Sequence, residues 1–135
     1  MSTGFLLIVV IVLTSCGSSA PEASRKLSGS DSLVITFNKP NSDSVLNTVI
    51  TTESKAISKL AAFIDGKSTE QKNCGYDGNM IFYSNGKVLL PVVFKFNEDS
   101  CRHFLFEMDN KVITTSINNE AVDFFKSLAV GKNWY

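Results

Sequence analysis

The sequence carries no excess of charge of either sign: 13 Lys and Arg are balanced by 13 Asp and Glu. A neutral chain lacks the cationic field that recruits nucleic acid and the anionic field of a self-solvating tail, so a nucleic-acid partner is excluded. Histidine occurs once, at His103. Nucleophilic catalysis needs a base and an orienting group converging on the nucleophile, and neither a G-x-S-x-G nor an H-E-x-x-H pattern is present. The longest uninterrupted apolar run, FLLIVVIVL at 5–13, has nine residues. A membrane-spanning helix needs about 20.

What is present begins with that run. Nine apolar residues match the h-region of a secretory signal, which runs about 7–15 residues, and on length alone an ordinary cleaved signal fits. Leu13-Thr14-Ser15-Cys16 follows directly. A branched aliphatic residue, two small residues and a cysteine at the end of an h-region resemble the lipobox of bacterial lipoproteins. The resemblance covers about the first 16 residues. It implies cleavage between Ser15 and Cys16 and a diacylglyceryl thioether on Cys16, with fatty acid such as palmitate in the anchor. The protein is then expected in the cell envelope, membrane-anchored without spanning, at the outer membrane and facing the periplasm. The mature domain resembles no family.

The chain therefore divides into a signal peptide at 1–15, a lipidated tether at 16–30 and one domain at 31–135. Small and polar residues fill GSSAPEASRKLSGSDS at 17–32 without apolar periodicity, which reads as a flexible tether with a reach of roughly 20 Å. The remaining residues suffice to bury one core without metal or cofactor, and no cofactor is expected.

Within the domain, SLVITFN at 32–38 alternates as a half-buried strand, and the β-branched segment 45–51 reads as a second. Thr51 or Thr52 is the expected N-cap of a helix whose apolar positions are Ala56, Ile57, Leu60, Ala61 and Ile64, with Gly66 as its capping glycine. Strands are expected at 80–83, 88–96, 101–108 and 112–117, joined by turns at Asn85-Gly86, at 98–100 and at Asp109-Asn110. Counting back from these turns places Val88 opposite Tyr83, Leu90 opposite Ile81, Phe94 opposite Phe104, Val92 opposite Phe106 and Phe106 opposite Ile113, all on one face. Asn118 or Asn119 begins a last helix with an apolar stripe at Val122, Phe125, Leu128 and Ala129, closed by Gly131. The expectation is an α+β two-layer sandwich, an antiparallel sheet of five or six strands with two helices packed on one face.

With Cys16 assigned to lipid, Cys74 and Cys101 remain, and an exported domain with one pair favours a disulfide over two free thiols. On flat strands the two cysteines lie about two strand spacings apart, roughly 9–10 Å. The bond therefore requires Cys74 in a loop that folds across the sheet end. The string Cys74-Gly75-Tyr76-Asp77-Gly78 reads mainly as a tight turn, with Tyr76 and Asp77 as candidate binding residues; Asp77 lacks the companions a calcium site needs, and no metal is expected. His103 falls on the sheet face away from the core with Cys101, Leu105 and Glu107, and is a candidate binding residue. The phenylalanines align with the core stripe rather than forming a base-stacking platform. Asn133-Trp134-Tyr135 either folds back on the domain or forms an exposed tip.

The function this supports is a non-enzymatic, lipid-anchored envelope module binding a protein or another envelope component. The alternatives are a small enzyme or metal-binding domain using His103 with nearby carboxylates, and an exported inhibitor of an envelope enzyme.

Overall fold

A computed structural model describes residues 22–71 and 73–132. The signal peptide, Cys16 with its lipobox, tether residues 16–21 and Asn133-Trp134-Tyr135 lie outside the described residues. The elements run α1 (Glu22–Leu27), β1 (Ser32–Asn38), β2 (Val45–Thr51), α2 (Ser54–Ile64), β3 (Gly78–Ser84), β4 (Lys87–Lys95), a 3-10 turn (Asp99–Cys101), β5 (His103–Met108), β6 (Lys111–Ser116) and α3 (Asn119–Ala129). The six strands form one antiparallel sheet in the order β2-β1-β3-β4-β5-β6. This is the expected α+β class, with a third helix added.

That helix corrects the reading of 16–30 as tether. From Glu22 the chain is helical, and Ala23 and Leu27, one turn apart, are buried in the core. A six-residue helix cannot sustain itself. Here Asp65, just past α2, accepts from the Ala23 and Ser24 backbone N–H groups and from the Ser24 hydroxyl, supplying the N-terminal acceptors that the local sequence lacks. The folded domain thus takes in residues from 22 on, ahead of the expected boundary at 31.

Alternation on β1 sends Leu33, Ile35 and Phe37 into the core. Both two-residue turns form as their sequences require, with Asn85, Gly86, Asp109 and Asn110 all at positive φ. Val92 pairs with Phe106, Phe94 with Phe104 and Phe106 with Ile113, as counted. The β3–β4 pairing departs from the count. Val88 does face Tyr83, but a bulge follows and Leu90 pairs with Phe82, not Ile81. The extra residue, Leu89, switches faces, so Met80 and Phe82 are buried while Val88 is exposed.

Two helix ends also differ. Glu53 occupies the N-cap of α2 without a side-chain bond, and Thr51 instead accepts the Glu53 N–H at 3.1 Å. Gly66 is not a left-handed cap: it is the point where the chain meets β6, and a Cβ there would collide with the Ser116 carbonyl. On α3 the Asn118 side chain accepts from Ala121 N–H at 2.8 Å, and Gly131 follows at φ +78°.

The core lies between the sheet and the three helices. Its centre is Phe125 of α3, stacked on Phe94 at 4.7 Å and meeting Phe37, Phe96, Phe104 and Phe124. After α2 the chain runs beside β6, where Ser68 bridges Thr115, and then crosses to the start of β3. This crossing builds the candidate site.

Candidate functional site

The pairings align the end of β1, the starts of β2 and β3, the end of β4, the start of β5 and the end of β6 at one end of the sheet. Strand alternation there turns Asp77, Lys95 and His103 to the face opposite the helices. The incoming segment lies over this row, so all three are buried. His103 lies on the face away from the helices, as expected, but at 1% exposure it is closed to a ligand, which corrects its reading as a candidate binding residue.

Asp77 is a three-way acceptor. One carboxylate oxygen takes the Lys95 ammonium at 3.1 Å, and the other takes the backbone N–H groups of Phe96 at 2.7 Å and Asn97 at 3.0 Å. Its own N–H donates to Phe94 and its carbonyl accepts from Asn38, tying β4 to β1 across the end of β3. The ion pair sits with both side chains about one-tenth exposed, so each charge depends on the other. Next to it, Gly78 meets a true steric limit, because a Cβ would strike the Thr36 carbonyl and the Phe94 ring.

His103 Nδ1 lies 2.6 Å from the Cys101 carbonyl. A carbonyl only accepts, so Nδ1 carries a proton and donates it there. Nε2 is buried with no hydrogen-bond partner among the described residues, and the Tyr76 ring approaches edge-on at 6.3 Å.

Cys74 and Cys101 are joined, with Cα atoms 6.2 Å apart, inside the usual span. The geometry is the one the spacing demanded: Cys74 lies in the crossing loop, and Cys101 lies in the 3-10 turn before β5 rather than on a strand. Donor atoms of Cys74, Glu98 and Cys101 fall within 4.8 Å of one another, but sulfurs bonded to each other are not thiolate ligands. No set of three potential metal donors among the described residues includes His103. Arg102 bonds the Phe96 carbonyl and Asp99, closing the turn after β4. The 27-residue separation of the cysteines gives an entropic stabilisation of about 3–4 kcal/mol. Reduction is therefore expected to lower the melting temperature while leaving a cooperative transition, and intact mass should rise by two hydrogens. Quantitative labelling of both thiols in native, unreduced protein would contradict the bond.

Beside the disulfide, a cleft of about 220 Å³ opens between Asn41, Ser42 and Asp43 of the β1–β2 turn and Cys74, Gly75 and Tyr76, with Lys95 at its base. Tyr76 is 45% exposed. The turn residues are the part of this site that sequence reasoning missed; the Lys39–Asp43 cluster signals a turn, but nothing local says that it faces Tyr76. The site gathers Tyr76, Asp77 and His103, and it leaves Tyr76 alone of the three accessible. Comparison with protein-family models, with curated proteins and with solved structures finds no match.

Proposed function

We propose that this is a lipid-anchored protein of the bacterial cell envelope, held at the outer membrane through Cys16 and facing the periplasm. Its domain is a non-enzymatic module that binds another envelope component at the cleft beside Tyr76. The observation that carries the binding reading is that the polar groups behind the cleft, apart from the solvent-inaccessible Nε2 of His103, are engaged by the fold. Asp77 has three donors, the cysteines are joined and Arg102 is doubly bonded. What faces outward is an aromatic ring beside Asn41, Ser42 and Asp43, a surface suited to a polar ligand with one flat apolar face.

The anchor rests on the lipobox resemblance and agrees with a disulfide, which persists in oxidising compartments. No helix among the described residues is long and apolar enough to cross a membrane. Five residues, 17–21, separate Cys16 from α1, and fully extended they span at most about 18 Å. An anchored domain therefore stays within about that distance of its lipid.

Cys16→Ser should abolish labelled palmitate incorporation and detergent-phase partitioning; label on the mutant would refute the anchor. For the cleft, cross-linking in intact envelopes should recover a partner with the wild-type chain and lose it with Tyr76→Ala. Equal recovery from both would place binding elsewhere.

A further inference from the structure

The two edges of the sheet are treated differently. At the β6 edge, Thr69 N–H donates to Thr114, Ser116 N–H donates to Lys67, and Ser68 bridges Thr115, so the Thr114–Ser116 half of that edge is covered. At the other edge, among the described residues, β2 pairs with β1 on one side only. Its seven residues, VLNTVIT, contain no charge and no proline, the devices by which exposed edges normally resist pairing. The β1–β2 ladder is irregular at Leu46, the extra residue between Val45, which pairs with Asn38, and Asn47, which pairs with Phe37; from Asn47 to Thr51 it is regular. Leu46 and Ile50 stand 51% and 69% exposed on the helix-free face. Ile50 also begins an apolar row that continues through Val34, Ile81 and Pro91 across β1, β3 and β4.

We propose that the β2 edge is the interface between two copies of this chain, paired antiparallel about Thr48 into one continuous sheet. The strand is self-complementary in that register. Thr48 meets its counterpart, and Leu46 of each copy lies opposite Ile50 of the other on the same face, burying both exposed side chains twice over. On the helix side, Asn47 faces Val49 of the second copy. Asn47 is already held by the Leu128 carbonyl at 3.2 Å, so α3 braces the strand from behind. The net charge of zero imposes no general repulsion between copies. Past the ladder the register brings exposed Asp43 toward Glu53 of the second copy, so added salt should tighten the pair.

The test is a cysteine at the two-fold axis. Opposed Cα atoms in an antiparallel pair lie about 4.5–5.5 Å apart, within disulfide reach. Full-length Thr48→Cys in detergent should therefore form a covalent dimer on non-reducing gels. Wild type sets the background, and Asp123→Cys, exposed on α3, sets the rate of random collision. Independently, Ile50→Lys should weaken association in sedimentation equilibrium about tenfold or more, the size of one strong interface contact, with an unchanged melt. Cross-linking of Thr48→Cys no faster than Asp123→Cys would overturn the interface, as would a wild-type monomer at every concentration. Pairing of the edge by a different protein, or cover by residues 133–135, would be seen as that monomer.

Discussion

Asp77→Ala should destabilise the domain by about 3–5 kcal/mol, the cost of leaving one member of a buried ion pair without its partner. The Lys95 ammonium, about one-tenth exposed, loses the one carboxylate within ion-pair distance of it among the described residues. At the same time the Phe96 and Asn97 N–H groups lose their acceptor. Against a total stability of about 5–15 kcal/mol for a domain of this kind, that approaches unfolding at ambient temperature. Urea titration should show the midpoint falling with little change in slope. Lys95→Met should cost markedly less, because Asp77 keeps its two backbone donors and the methionine fills the same space without a charge. A double variant more stable than Asp77→Ala alone would identify the unpaired ammonium as the main source of the loss. An effect of Asp77→Ala below about 1 kcal/mol, typical of a solvated pair, would mean that the carboxylate is not the anchor of this sheet end.

The alternating strands and their turns were legible because each signal is local. Alternation in 32–38 assigns a face residue by residue, and Asn85-Gly86 and Asp109-Asn110 are among the few pairs that tolerate positive φ twice in succession. The bulge was hidden because Val88, Leu89, Leu90, Val92 and Val93 are apolar on both faces, so a one-residue slip leaves no trace in the pattern. Pro91 was the available clue, since a proline in a central strand belongs beside an irregularity. Helix α1 was missed for a different reason. Its two buried residues are too few to make a period, and its cap, Asp65, is 41 or 42 positions away. The same holds for the site. The string around Tyr76 and Asp77 is conspicuous, yet what Asp77 does depends on backbone donors 19 and 20 residues later, and His103 is covered by the segment between α2 and β3, whose Tyr76 ring meets it. Local sequence names the residues; long-range chain routing decides their roles.

Phe125→Ala is expected to cost about 3–5 kcal/mol through lost burial and the cavity left behind. The ring is fully buried and stacks on Phe94 with planes 8° apart, while Phe37 and Phe104 meet it edge-on at 6.3 and 5.9 Å. Neighbours this rigid cannot collapse into the space, which places the loss toward the upper part of that range. The effect should also reach the candidate site, because the backbone of the packed rings holds Asp77: the Phe94 carbonyl accepts the Asp77 N–H, and the Phe96 N–H donates to its carboxylate. Loosening Phe94 and Phe96 should therefore accelerate hydrogen exchange at Asp77, Phe96 and Asn97 beyond what global destabilisation requires. The amides of β6 provide the internal reference. Phe124→Ala is the matched control, since that ring touches both Phe125 and Phe63 of α2. It should lower stability without selectively exposing the Asp77 amides. Uniform acceleration throughout the sheet in Phe125→Ala would show that the aromatic cluster supports the whole domain equally and gives the sheet end no special rigidity.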